Sequence, residues 1–245
     1  MAPPRSTEEA ALALLEAARQ PDAIIVGHMP GVTGGTAVAE ALFGKHNDFG
    51  RLPYTVYPHA YQNTTQFTEM SLRKGKHTPE GRTYKFYSGT PQFKYGEGLS
   101  FTEFALGNTS RADGDRILFQ AEPDHVLHAE DTSAEIMIAV SLQNVGVERA
   151  GSTVVMAWFA PAAEARGLNH RDSLAARLGQ DPPIRSLVAY TRTRSLAVGE
   201  TAVVKLKLRV DDLAFVDART SQRTLPAGEY EVRVDLGPSA TSAGE

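Results

Sequence analysis

Four charged residues crowd one short stretch of this chain: Glu69, Arg73, Glu80 and Arg82, with Tyr84 just beyond them. Read on their own they are ion pairs set among aromatic rings; a ligand-facing role enters only with the resemblance below. Two other groups invite chemistry. The glycine-rich run Gly31-Val32-Thr33-Gly34-Gly35 precedes a helix-like stretch, and helix N-termini favour anions. It fits neither the GxGxxG nor the GxxxxGK pattern, so it reads as a tight turn with close helix–strand packing. His28, His46, His59 and His77 are scattered, without the paired spacing of a metal site. With no cysteine in 245 residues, disulfides and thiolate ligands are excluded, and no metal or cofactor is expected.

The elements that must position these residues fall into two kinds. Ser6 to Arg19 predicts a helix, capped by Ser6 with Glu9 three residues on and stopped by Pro21. Ala23 to Val26 is a short apolar run of the sort buried on both faces of a parallel sheet, and Thr36 to Phe43 predicts a helix closed by Gly44. Helix, strand, glycine loop and helix make a piece of an α/β layer, to which Arg51 to Tyr57 adds one more strand. One or two strands do not make a sheet, so residues 1–60 read as a partial α/β sandwich domain. Residues 61–115 form an aromatic-rich connecting segment of little periodicity. From Ile117 short apolar or alternating runs recur, at Glu135 to Gln143, Gly151 to Ala160, Ile184 to Arg192, Thr201 to Val210 and Gly228 to Leu236. Turn signals such as Asn144-Val145-Gly146 and Pro226-Ala227-Gly228 separate them. That pattern predicts an all-β sandwich over residues 116–237. Ala162 to Pro183 is a long polar insertion, and residues 238–245 are expected to be a disordered tail. The net charge of −4, without a basic stripe, argues against nucleic acid. No apolar run is long enough for a membrane span, and Met1 to Gln20 has no secretory-signal pattern.

Several blocks carry a family resemblance. Pro30-Gly31-Val32-Thr33-Gly34-Gly35-Thr36-Ala37-Val38-Ala39-Glu40-Ala41-Leu42-Phe43-Gly44 is followed by Gly50-Arg51-Leu52-Pro53-Tyr54-Thr55-Val56-Tyr57-Pro58. Next come Met70-Ser71-Leu72-Arg73, Gly81-Arg82-Thr83-Tyr84-Lys85-Phe86-Tyr87 and Tyr95-Gly96-Glu97-Gly98-Leu99-Ser100-Phe101-Thr102-Glu103-Phe104. In order and spacing they resemble family 3 glycoside hydrolases, and the Arg-Thr-Tyr-Lys-Phe-Tyr block is similar to the β-xylosidase branch. Asn144-Val145-Gly146, Trp158-Phe159-Ala160-Pro161 and Pro226-Ala227-Gly228-Glu229-Tyr230 resemble that family's fibronectin type III-like domain. Two local departures stand out: one extra residue in Pro79-Glu80-Gly81, and the length of the insertion from Ala162.

The resemblance, to the family's β-xylosidase/β-glucosidase group, implies retaining hydrolysis of O-glycosyl bonds in a β-linked oligosaccharide or a xylan-derived sugar. That chemistry needs two carboxyl groups about 5–5.5 Å apart, a nucleophile and an acid/base. In the family both lie upstream of the blocks matched here, the nucleophile on a TIM-like barrel. The chain is therefore expected to be inactive alone, as a C-terminal fragment that depends on a barrel domain in cis or in trans. No catalytic residue is assigned. Arg73, Glu80, Arg82 and Tyr84 are the candidate substrate-rim residues, the arginines for sugar hydroxyls and Tyr84 for stacking on a ring. The other readings of the stretch are packing that joins the α/β piece to the sandwich, and a non-catalytic scaffold or carbohydrate- or partner-binding module. Trp158 reads as a core residue before it reads as a sugar platform. The family is often secreted, but the compartment stays open here.

Overall fold

A computed structural model of the chain describes residues 23–109, 116–121, 125–126, 135–161, 169–226 and 228–237. The helix expected over Ser6 to Arg19 and the tail 238–245 lie outside them. The chain divides into two compact units, Met1–His46 and Asn47–Glu245.

In the first unit, α1 spans Gly34–Leu42. Gly34 is buried, and a Cβ there would sit 2.5 Å from the Pro30 ring, so the glycine run serves close packing at the helix start. The helix ends as the sequence predicts. Gly44 takes φ +67°, and the Gly44 and Lys45 N–H groups turn back to the carbonyls of Ala41 and Glu40, a Schellman closure. The strand expected at Ala23 to Val26 is not formed. Those residues have no regular secondary structure and no ladder partners among the described residues, and Ile24, Ile25 and Val26 are 58%, 44% and 44% exposed. A strand exists only where neighbours take up its N–H and C=O groups, and no described segment does so here.

The second unit opens at Asn47, ahead of the aromatic-rich segment. The strand expected over Arg51 to Tyr57 reduces to one bridge, Val56 to Phe93, and two single-turn helices follow, α2 (Tyr61–Thr64) and α3 (Thr83–Phe86). Among the described residues ten strands come next: β1 (Phe104–Thr109), β2 (Arg116–Ala121), β3 (His125–Val126), β4 (Glu135–Asn144), β5 (Val154–Pro161), β6 (Ser186–Arg192), β7 (Thr201–Arg209), β8 (Phe215–Val216), β9 (Arg223–Leu225) and β10 (Gly228–Asp235). They form a three-stranded sheet ordered β1-β4-β7, a four-stranded sheet ordered β2-β10-β5-β6 and a small sheet ordered β3-β9-β8, all antiparallel.

β4 and β7 alternate cleanly. Ile138 faces Leu206 and Val140 faces Val204 across the register, all four buried, while Lys205 and Lys207 between them are exposed. Period-two alternation puts one face on the core and the other in water. Against this face the four-stranded sheet turns Val155, Ala157, Phe159, Tyr230, Val232 and Val234, completing one core. The insertion from Ala162 is partly helical: α4 (Asn169–Leu178) adds Leu174 and Leu178, each 1% exposed, to that core. Two leucines four residues apart share one helix face, which is enough to anchor a helix that is otherwise polar.

β5 breaks the alternation: every residue from Val155 to Phe159 is buried. Its inward side chains belong to the core, but Met156 and Trp158 lie outside that cluster. They are covered from the other side by the aromatic-rich segment. Tyr84 and Tyr95 set their rings edge-on to the indole at 5.4 and 5.8 Å, and the Arg185 guanidinium lies 4.3 Å over it. Trp158 is thus buried as expected, but on the outer face of its sheet rather than between the sheets.

Candidate functional site

The stretch carrying the predicted residues is shaped by two left-handed backbone positions. Gly81 has φ +74°, and a Cβ there would fall 2.6 Å from the Phe86 carbonyl. Thr83 has φ +60°, a strained value for a β-branched residue. The Thr83 N–H is held by the Tyr57 hydroxyl at 2.6 Å, and the Tyr61 hydroxyl donates to the Gly81 carbonyl at 2.8 Å. These contacts fix the direction in which Arg82 and Tyr84 leave the chain.

The structure separates the four predicted residues into two pairs. Glu80 and Arg82 sit by a cluster of three tyrosines: Tyr57 stacks on Tyr61 at 4.2 Å, and Tyr87 meets both edge-on at 4.9 and 5.5 Å. The Tyr87 hydroxyl hydrogen-bonds the Glu80 side chain; burial first, then the Glu80 charge and that bond, push its titration above the usual tyrosine range. Arg82 donates from Nη2 to the Gln66 carbonyl and from its backbone N–H to the Leu72 carbonyl at 2.7 Å. Its Nε is buried and meets no acceptor among the described residues.

Arg73 and Tyr84 belong to the joint with the sandwich. Arg73 donates from Nε to the Asp181 carbonyl at 2.8 Å and lies 4.6 Å over the Phe86 ring; desolvation lowers its pKa, partly offset by Asp181. Tyr84 packs on Tyr95 at 4.3 Å and accepts the Leu187 N–H at 3.4 Å, and burial raises its pKa. Residues just before the segment extend the joint. Arg51 donates to Gly98 O and Thr153 Oγ1 at 2.7 and 3.1 Å, and Arg192 donates to Phe49 O and Ser152 Oγ at 2.8 Å each.

A groove of about 500 Å³ runs between the edge strands β6 and β7, and Asp212 is the one carboxylate lining it. The described carboxylates whose titration is displaced are Glu40, Glu200 and Asp217. All are displaced downward, chiefly by hydrogen bonds from Lys45, Arg194 and Arg219. A general acid needs the opposite shift. Among the described residues no group of three or more His, Asp or Glu is placed to hold a metal ion.

Residues 7–101 match the Glycosyl hydrolase family 3 C-terminal domain and residues 174–239 the Fibronectin type III-like domain. The chain thus carries a C-terminal domain of the glycoside hydrolase family 3 type followed by a fibronectin type III-like domain. Among family 3 relatives, a probable exo-1,4-beta-xylosidase of Neosartorya fischeri is 32% identical over 215 residues, covering 85% of this chain and 25% of that protein. A solved GH3 exo-beta-xylosidase, in complex with a xylobiose aziridine probe, superposes with a TM-score of 0.63. It is 24% identical over 84% of this chain and 25% of its own. The Beta-D-glucoside glucohydrolase of Trichoderma reesei gives a TM-score of 0.66 at 20% identity, covering 92% of this chain and 30% of its own. The chain thus spans about a quarter of the length of the curated relatives it matches, and the match is to the family's C-terminal and fibronectin type III-like domains. Sequence reading had singled out neither the Tyr57–Tyr61–Tyr87 cluster nor the left-handed Thr83. The tyrosines carried a signal in their density, whereas Thr83 carried none.

Proposed function

We propose that this chain serves as the C-terminal scaffold of a β-xylosidase-type family 3 enzyme. In this reading a barrel domain, in cis or in trans, supplies the nucleophile, and the assembled enzyme hydrolyses O-glycosyl bonds in β-linked, xylan-derived oligosaccharides. The observation that carries the reading is the match to one quarter of the length of curated β-xylosidases, within the C-terminal and fibronectin type III-like domains. Within that enzyme Glu80 and Arg82 are rim residues. A guanidinium beside tyrosine rings is suited to sugar hydroxyls and ring faces. Arg73 and Tyr84 act one step back, holding the rim-bearing turn on the sandwich.

Aryl-β-xyloside and aryl-β-glucoside turnover by the purified chain tests the first claim, and none is expected. Turnover abolished by changing a single carboxylate of this chain would overturn it.

A further inference from the structure

The segment that carries the rim also displays two large apolar side chains. Phe67 is 97% exposed and Met70 is 86% exposed. A loosely held loop would explain such exposure, but this loop is tied down. The Gln66 N–H donates to His77 O at 3.0 Å and the Glu69 N–H to Gln66 O at 3.2 Å. The Ser71 N–H donates to Glu69 Oε1 at 2.9 Å, and the Arg73 N–H to Ser71 Oγ at 3.2 Å. Arg82 clasps the Gln66 carbonyl, directly before Phe67, and Arg73 fixes the far end to Asp181 O. A phenylalanine and a methionine three residues apart, presented by a loop whose ordering cost is already met inside the fold, have the character of interface anchors. Elsewhere in the segment the aromatic rings are used differently, for Tyr84 and Tyr95 are packed against Trp158.

We infer that Phe67 and Met70 form a docking surface for the catalytic part of a family 3 enzyme, the portion corresponding to the three quarters of the curated relatives that this chain does not match. The inference rests on the scaffold reading above and names the contact through which the scaffold acts. The loop shares Arg82 with the proposed rim, so a partner seated on Phe67 and Met70 is brought beside the residues meant to meet its substrate.

The absence of cysteine from the chain makes the test direct. Met70→Cys, and Val147→Cys at another exposed apolar position (88%), each give one thiol whose labelling rate is followed by peptide mass. Each full-length variant is labelled alone and with the unmatched portion of the Neosartorya fischeri relative, while aryl-xyloside turnover and affinity are measured in parallel. Protection is expected at position 70 and not at 147, and Phe67→Ser is expected to weaken association about tenfold or more. Trp158 emission checks that each variant is folded. Association or restored turnover without protection at position 70 overturns the docking surface and leaves the scaffold reading standing. No association and no restored turnover overturns both. Concentration-dependent protection in the chain alone assigns the surface to a second copy and overturns the inference.

Discussion

Asn144 is 0% exposed and spends its whole amide on backbone and side-chain partners. Its Oδ1 accepts from Thr102 Oγ1 at 2.7 Å and the Gly146 N–H at 3.0 Å, and its Nδ2 donates to the carbonyls of Arg149 and Leu196 at 3.0 Å each. One side chain thereby stitches the end of β4 to the start of β1 and to the turns beside it. Asn144→Ala strands these partners and is expected to cost roughly 3 kcal/mol in urea unfolding. Asn144→Asp, which turns two donors toward carbonyls into an acceptor, is expected to cost at least as much at neutral pH and less in acid. Tyr230 offers a pH test. Its hydroxyl donates to the Pro226 carbonyl at 2.6 Å, and burial pushes its pKa from 10.0 to about 12. The native state thus favours the neutral phenol. The stabilisation is complete below the unfolded value and is lost as pH rises from about 10 toward about 12. Tyr230→Phe should lower stability at neutral pH by about 1 kcal/mol and flatten the alkaline decline of the urea midpoint. An unchanged alkaline slope would show that other tyrosines set it.

At the scale of elements, β5 is the strand on which the second unit turns. Its run Val154 to Ala160 is continuous in apolar character where β4 and β7 alternate, and the structure supplies the reason: one face meets the sandwich core and the other meets the aromatic-rich segment. Trp158, the only tryptophan, reports on that second contact and is tied to Asp235 through its indole N–H at 2.9 Å. Tyr84→Ala is expected to shift Trp158 emission to the red and to speed proteolysis within residues 47–103 while the sheets stay folded by circular dichroism. Trp158→Ala should cost about 3–5 kcal/mol. The need for a cover on β5 was legible in its unbroken apolar run. The identity of the cover was not, because Tyr84 lies far from Trp158 in sequence and the pairing exists only once β5 and β6 have set the surface.

Across the whole molecule the two units differ in how they bury themselves. The second has a core with many side chains at or near zero exposure. In the first, among the described residues, α1 buries only Gly34, and Met29, Val32 and Phe43 are 97%, 105% and 88% exposed. Limited proteolysis should therefore cut first before Asn47 and leave a resistant product that begins near it. A first cut inside the sandwich, with the N-terminal residues retained, would contradict this. Addition of the matching catalytic part of a relative should slow the early cut, since apolar surface of this kind is stabilised by being covered.

The sequence by itself determined the resemblance to the family 3 C-terminal and fibronectin type III-like domains, the sandwich with its alternating strands and the closure of α1 at Gly44. These follow from local rules: period, turn chemistry and motif order each act over a few residues. The tertiary structure alone decided that Ala23 to Val26 forms no strand, that Ala162 to Pro183 contains a helix anchored by Leu174 and Leu178, and that Trp158 is buried from outside its sheet. It alone parted Glu80 and Arg82 from Arg73 and Tyr84. The physical reason is the same in each case: a strand, a buried ring or a site needs partners distant in the chain, and their positions are set by packing rather than by spacing.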